Sequence, residues 1–148
     1  MNQSGQSGQA GFSLVELLLV VVIIGVIAAL AVPAYQKATW AAENGGAFGV
    51  MRTLASTQVS FYSQNSRFGR LDELNAQLGS GIGVAVGDSL VRGRYVFTMS
   101  PSRPTNAELA TEYSITAKRD VVGDALYQFE LDQTGRITQV YPVGAPQN

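Results

Sequence analysis

Hydrophobic positions follow three patterns along this chain. From Phe12 to Val32 they are almost continuous, broken only by Ser13, Glu16 and Gly25. Those 21 residues would make a helix about 31 Å long, enough to cross the hydrocarbon core of a bilayer. Further on, Phe48, Met51, Leu54, Ala55, Val59 and Tyr62 recur at spacings of three and four. That period predicts an amphipathic helix ending between Ser63 and Asn65, with one face that needs cover. The repeat is too short to sustain a coiled-coil seam. Gly45-Gly46 predicts a bend or fray just before the stripe. The third pattern belongs to the rest of the chain. Leu71, Leu74 and Leu78 mark a short helix, and "RYVFTM", "EYSITA", "LYQFEL" and "RITQVY" alternate as strands do. Tyr113, Ile115 and Ala117 should share one face, as should Tyr127, Phe129 and Leu131. Hairpin turns are expected at Asp120 to Asp124 and at Asp132 to Gly135, where the glycine offers positive φ. "GSGIGVAVGDS" reads as a loop, and it lacks the Gly-Lys-Ser/Thr ending that would let it cradle phosphate. Strands in succession, joined by short turns, give an antiparallel sheet with one face laid on the helix. The fold class is α+β.

Composition narrows the chemistry. Charged residues make up 14% of the chain against 46% hydrophobic, where an average soluble protein carries about 25% charged. The 148 residues carry ten Lys and Arg and eleven Asp and Glu, a net charge of −1 that favours no anionic partner. There is no cysteine, so no disulfide framework and no thiolate metal site. There is also no histidine, which removes the commonest general base and the commonest zinc ligand. No catalytic constellation, metal site or cofactor site emerges, and the chain does not read as an enzyme.

The apolar run poses its own question through Glu16, its one charged residue between Leu14 and Val32. A carboxylate placed in hydrocarbon is unfavourable by a few kcal/mol (~2.5–3.5 on insertion scales). An ordinary signal peptide, cut after Ala29-Leu30-Ala31, would want a basic start and an uncharged core, and "MNQSGQSGQAG" has no Lys or Arg. A plain single-span anchor would have no use for the acid. Pro33 adds a mechanical feature, because proline cannot donate to the carbonyl of Ala29 and its ring clashes there. It marks either a helix end at the membrane surface or a kink, with Gly25 a second weak point.

"GFSLVELLLVVVIIGVIAALAVPAYQ", residues 11 to 36, resembles the class III signal of type IV prepilins and of the related type II secretion pseudopilins. The match is ungapped through Gly11, Phe12, Ser13, Leu14, Val15 and Glu16, and extends to Gly25 and to Pro33 to Gln36. The resemblance implies a leader, residues 1–11, removed by a prepilin peptidase between Gly11 and Phe12, with N-methylation of the new Phe12 amine. It implies a transmembrane and assembly half of the N-terminal helix at 12–33, an amphipathic half at 34–65, and a head at 66–148. The architecture implied is pilin-like, a long N-terminal helix packed on a four-stranded antiparallel sheet. Glu16 becomes an assembly key, its charge meeting the Phe12 ammonium of a neighbour in a staggered polymer. Gly25 and Pro33 become kink sites. The implied function is a structural subunit of a type IV pilus, serving adhesion, twitching motility or DNA uptake; the alternative is a pseudopilin of a type II secretion system. The pseudopilin's Asp-rich calcium loop and Trp-Gly-Asn-Pro segment have no counterpart in the tail "VYPVGAPQN". Implied partners are further copies of the chain and other pilins, the prepilin peptidase, an inner-membrane assembly platform, and membrane lipid before assembly. The chain would be a single-pass inner-membrane protein first, then part of a surface pilus or a periplasmic pseudopilus. The leader lacks basic residues, so orientation in the membrane would rest on Lys37.

The remaining candidates are weaker. Asp72-Glu73 opens the short helix, where acids suit the macrodipole. Arg67, Arg70, Arg92, Arg94 and Arg103 are scattered rather than clustered, so nucleic acid is not indicated. Phe12, Tyr35, Trp40, Phe48 and Phe61 are explained by packing more simply than by an electron path.

Overall fold

A computed structural model describes residues 11–119 and 127–141. The leader up to Ala10 and the expected turn at Asp120 to Asp124 lie outside the described residues, as does the tail from Pro142. Helix α1 runs from Leu14 to Asn65, 52 residues, with Pro33 inside it. It stops where the 3–4 stripe stops. Pro33 is therefore no helix end, and the helical assignment also runs unbroken through Gly45 and Gly46. By contacts the chain divides into two units, one up to Trp40 and one from Ala41 onward.

The first unit contributes only the exposed, apolar part of α1. Every residue from Gly11 to Ala38 is exposed to solvent, and among the described residues none before Ala47 is buried. One helix among the described residues is long and apolar enough to cross a membrane, and it is this one.

The second unit is the folded head. After α1 come α2 (Leu71–Gln77), β1 (Val84–Val86), β2 (Ser89–Arg92), β3 (Tyr95–Met99), a single 3₁₀ turn at Glu108–Ala110, β4 (Ser114–Arg119), β5 (Tyr127–Asp132) and β6 (Ile137–Tyr141). The strands form one antiparallel sheet in the order β1-β2-β3-β4-β5-β6, each paired with its sequence neighbour. The sheet has six strands, not four. β1 and β2 arise inside and just after the glycine-rich stretch expected to be a loop. Val84-Ala85-Val86 pairs with Ser89-Leu90-Val91 across a two-residue turn in which Gly87 takes φ +60°. Glycine at that first turn position is what a type II′ hairpin requires. Gly93, φ +60°, closes β2 to β3 in the same way, between the paired residues Arg92 and Tyr95.

The core forms where α1 meets the sheet. Met51 and Leu54 pack with Leu74, Leu90, Phe97, Leu109, Ile115, Ala117 and Leu131, all essentially inaccessible. Tyr113, Ile115 and Ala117 share the buried face, as alternation required, and Phe129 and Leu131 join them with Tyr127 partly covered. The helical stripe is rotated from its expected position. Val59 is 70% exposed and Tyr62 41%, while Ala47, Val50 and Gln58 are buried and Phe61 packs against the core. The cause is Gln58. Its amide donates to the Gly69 carbonyl at 2.9 Å and its Oε1 accepts the Gly69 N–H at 2.7 Å. A polar residue thereby continues the buried row that Met51 and Leu54 begin, because both of its amide functions are satisfied.

Candidate functional site

The residues singled out at the N-terminus lie together at the start of α1. Gly11, Phe12 and Ser13 precede the helix, all exposed, Phe12 at 78%. The Leu17 N–H donates to the Ser13 carbonyl at 3.1 Å, which closes the first helical turn and makes Ser13 the capping residue. Glu16 lies in that first turn, three residues beyond Ser13. Ser-x-x-Glu has the spacing of a capping box but makes neither of its side-chain bonds here; an acid in the first turn does suit the positive end of the helix dipole. Glu16 thus has a local reason to be tolerated at the head of the helix. Sequence reading overlooked this helix start, although the Ser13–Glu16 spacing carries it.

The geometry at this end has three parts. A glycine with open space around it sits at the Gly11–Phe12 peptide bond. An exposed aromatic follows, and then one carboxylate at the head of an exposed apolar helix. Residues 6–32 match the prokaryotic N-terminal methylation motif. The segment is a class III signal. Such signals mark the type IV pilin and prepilin family, and this one covers less than a fifth of the chain. Comparison with curated proteins and with solved structures finds no match for the chain. The motif and the apolar helix together fit a type IV pilin-like or pseudopilin protein with a membrane anchor.

Gly25 and Pro33 are not part of that cluster; they lie one after the other further along α1. In the head, the five arginines considered as a basic patch are each engaged locally. Arg67 pairs with Glu73 at 2.6 Å, Arg70 with Glu73 at 3.8 Å, Arg94 with Glu43 at 3.8 Å and Arg103 with Asp88 at 2.6 Å. Arg92 donates to the carbonyls of Gly81 and Ile82. Glu73 is the most perturbed of the acids. The Arg67 guanidinium and the Arg70 N–H hold its carboxyl at about 2, against partial burial that opposes them. Its oxygen caps α2 through the Arg70 N–H at 2.8 Å; arginine has no acceptor to return the bond, so only half of a capping box exists.

A second polar group escaped notice in the sequence. Arg119, at the end of β4, is fully buried, and its guanidinium meets Glu43 Oε2 at 2.8 Å. Next to Glu43, Asn44 accepts a hydrogen bond from the Tyr95 hydroxyl at 2.6 Å. Nothing in the local pattern of "AAENGG" or "TAKRD" announces a contact between residues so distant in sequence.

Proposed function

We propose that the protein is the structural subunit of a type IV pilus, polymerising through its apolar N-terminal helix. The observation that carries the reading is Glu16, the one charge in the exposed apolar stretch of α1 from Leu14 to Val32, four residues beyond Phe12. On this reading prepilin peptidase removes residues 1–11 and methylates the Phe12 amine, which keeps its positive charge. Residues 12–33 then serve first as the membrane span and afterwards as the packed core of the polymer. The ammonium of one subunit pairs with Glu16 of its neighbour. A buried pair of this kind adds little net stability but specifies register, because any other stagger leaves both charges without partners. Gly25 and Pro33 give the helix its points of compliance, and the head from residue 66 faces outward. Assembly uses an inner-membrane platform and motors that this chain does not provide. The pseudopilin of a type II secretion system, the alternative reading, shares all of this processing.

Two measurements test the reading. Mass spectrometry of the mature N-terminus should find methylated Phe12; a start at Val32 would instead identify ordinary signal peptidase and end the pilin reading. Glu16→Val should leave cleavage and membrane insertion intact and abolish sheared surface filaments. Loss of one member of a buried pair is unfavourable by about 3–5 kcal/mol, repeated at every subunit. Normal filament yield from that variant would remove Glu16 from assembly.

A further inference from the structure

We propose that Glu43 and Arg119 form a latch that holds the first head-bound turn of α1 in helical form, and that opening it lets residues 41–46 unwind without unfolding the head. The inference does not depend on the pilus reading.

Five observations lead there. The first buried residue of α1 is Ala47, so residues 41–46 have no apolar anchor in the core. Their side-chain attachments to the sheet are polar: Glu43 to Arg119 at 2.8 Å and to Arg94 at 3.8 Å, and Asn44 to the Tyr95 hydroxyl at 2.6 Å. Tyr95 and Arg119 are paired residues on β3 and β4, so both attachments converge on one end of two adjacent strands. Gly45 and Gly46 then follow directly, the residues least inclined to stay helical apart from proline. A cavity of about 170 Å³ beside this turn, lined by Glu43, Gly46, Ala47, Arg94 and Tyr95 among others, leaves it loosely packed.

The two partners are unequal. Arg119 is fully buried and fixed in the sheet, whereas the Glu43 side chain keeps 29% of its surface in water. Glu43 can therefore leave for solvent at small cost to itself, while the guanidinium it pairs with stays fixed in the sheet. That asymmetry gives the junction two states, closed with the turn wound and open with the turn frayed back to Ala47. Glycines at 45 and 46 lower the cost of the open state, and each has room for a methyl group, with nothing within 4 Å of an added Cβ.

Hydrogen exchange read by mass spectrometry on the unassembled full-length protein in detergent micelles tests the latch. Glu43→Gln should speed exchange at the amides of residues 41–49 at least 10-fold, with strands β3 to β5 and residues 51–62 as protected as in wild type. Adding Gly45→Ala and Gly46→Ala to that variant should recover most of the lost protection. Unchanged exchange over 41–49 in Glu43→Gln would overturn the proposal. So would loss of protection throughout the strands, or failure to obtain folded protein, since the pair would then support the whole head and not one turn. Failure of the alanines to restore protection would also count against it. Because the protein is unassembled, none of these outcomes depends on whether it forms filaments.

Discussion

On the pilus reading proposed above, Glu16 answers to two demands at once, and the side chains that satisfy each are different. As the third residue of the helix that begins after Ser13 it needs only a polar side chain; as the proposed counter-charge to a neighbouring ammonium it needs a negative charge. Glu16→Gln keeps a polar side chain and loses the charge. It should therefore fail in filament assembly as fully as Glu16→Val while matching wild type in membrane level, both read by quantitative immunoblot of sheared and membrane fractions. Wild-type assembly by the Gln variant would show that the negative charge is not needed for assembly. In the head, Gln58 is the residue whose loss should be felt most out of proportion to its polarity. Gln58→Leu leaves the Gly69 N–H and carbonyl without their partners, which destabilises by about 2–3 kcal/mol. A urea midpoint on the soluble head reads this directly. Titrating groups bound the stability of the head on both sides. Glu73 is held near 2 from an ordinary 4.5, so its contribution is complete above about 4.5 and is lost as pH falls toward 2. Burial pushes the Tyr95 and Tyr113 hydroxyls up from 10.0 to about 12. The unfolded chain releases those protons first, so stability should decline again between about pH 10 and 12. Thermal melts across that range should show the acid decline shrink in Glu73→Gln and the alkaline decline shrink in Tyr113→Phe.

At the scale of elements, legibility depended on whether a residue's local company matched its destination. β3 to β6 were readable because their alternation is long and bordered by turn residues; the turn after β5 closes on Gly135 at φ +77°. β1 was not, because its three residues stand among glycines and all three are exposed, so no hydrophobic alternation marks it. The stripe of α1 was misread by part of a turn because Gln58 looks like solvent-facing helix, while Val59 and Tyr62 look like core. The segment at the start of α1 was legible for a different reason. Its information lies in short-range order, Gly then Phe then Ser then Glu at fixed intervals, and needs no tertiary context. The contact between Glu43 and Arg119 could not be read, since only the folded sheet brings the two together. The hairpins offer a clean test of element geometry. Gly93→Ala meets no atom within 4 Å but forces an L-residue to φ +60°, which costs about 1–2 kcal/mol. A shift of that size in the urea midpoint, with the slope unchanged, is expected; no shift would mean that the β2–β3 turn re-forms with other dihedrals.

At the scale of the molecule, the boundary after Trp40 separates a stretch that has no core from a head that has one. Removing residues 1–39 should accordingly give a soluble, monomeric α+β domain, with helix and strand both evident by circular dichroism. An unfolded fragment would show that the head depends on the apolar helix. The same architecture has a consequence in time. Every strand pairs with the one before it, and two of the connections are two-residue turns. Few distant segments must find each other by diffusion, which places such a head toward the rapid end of folding for sheet proteins. Without cysteines it waits for no oxidation step either. On the pilus reading, the subunit can reach its final shape well before it meets a second copy, so a shortage of folded heads would not set the pace at which the polymer grows.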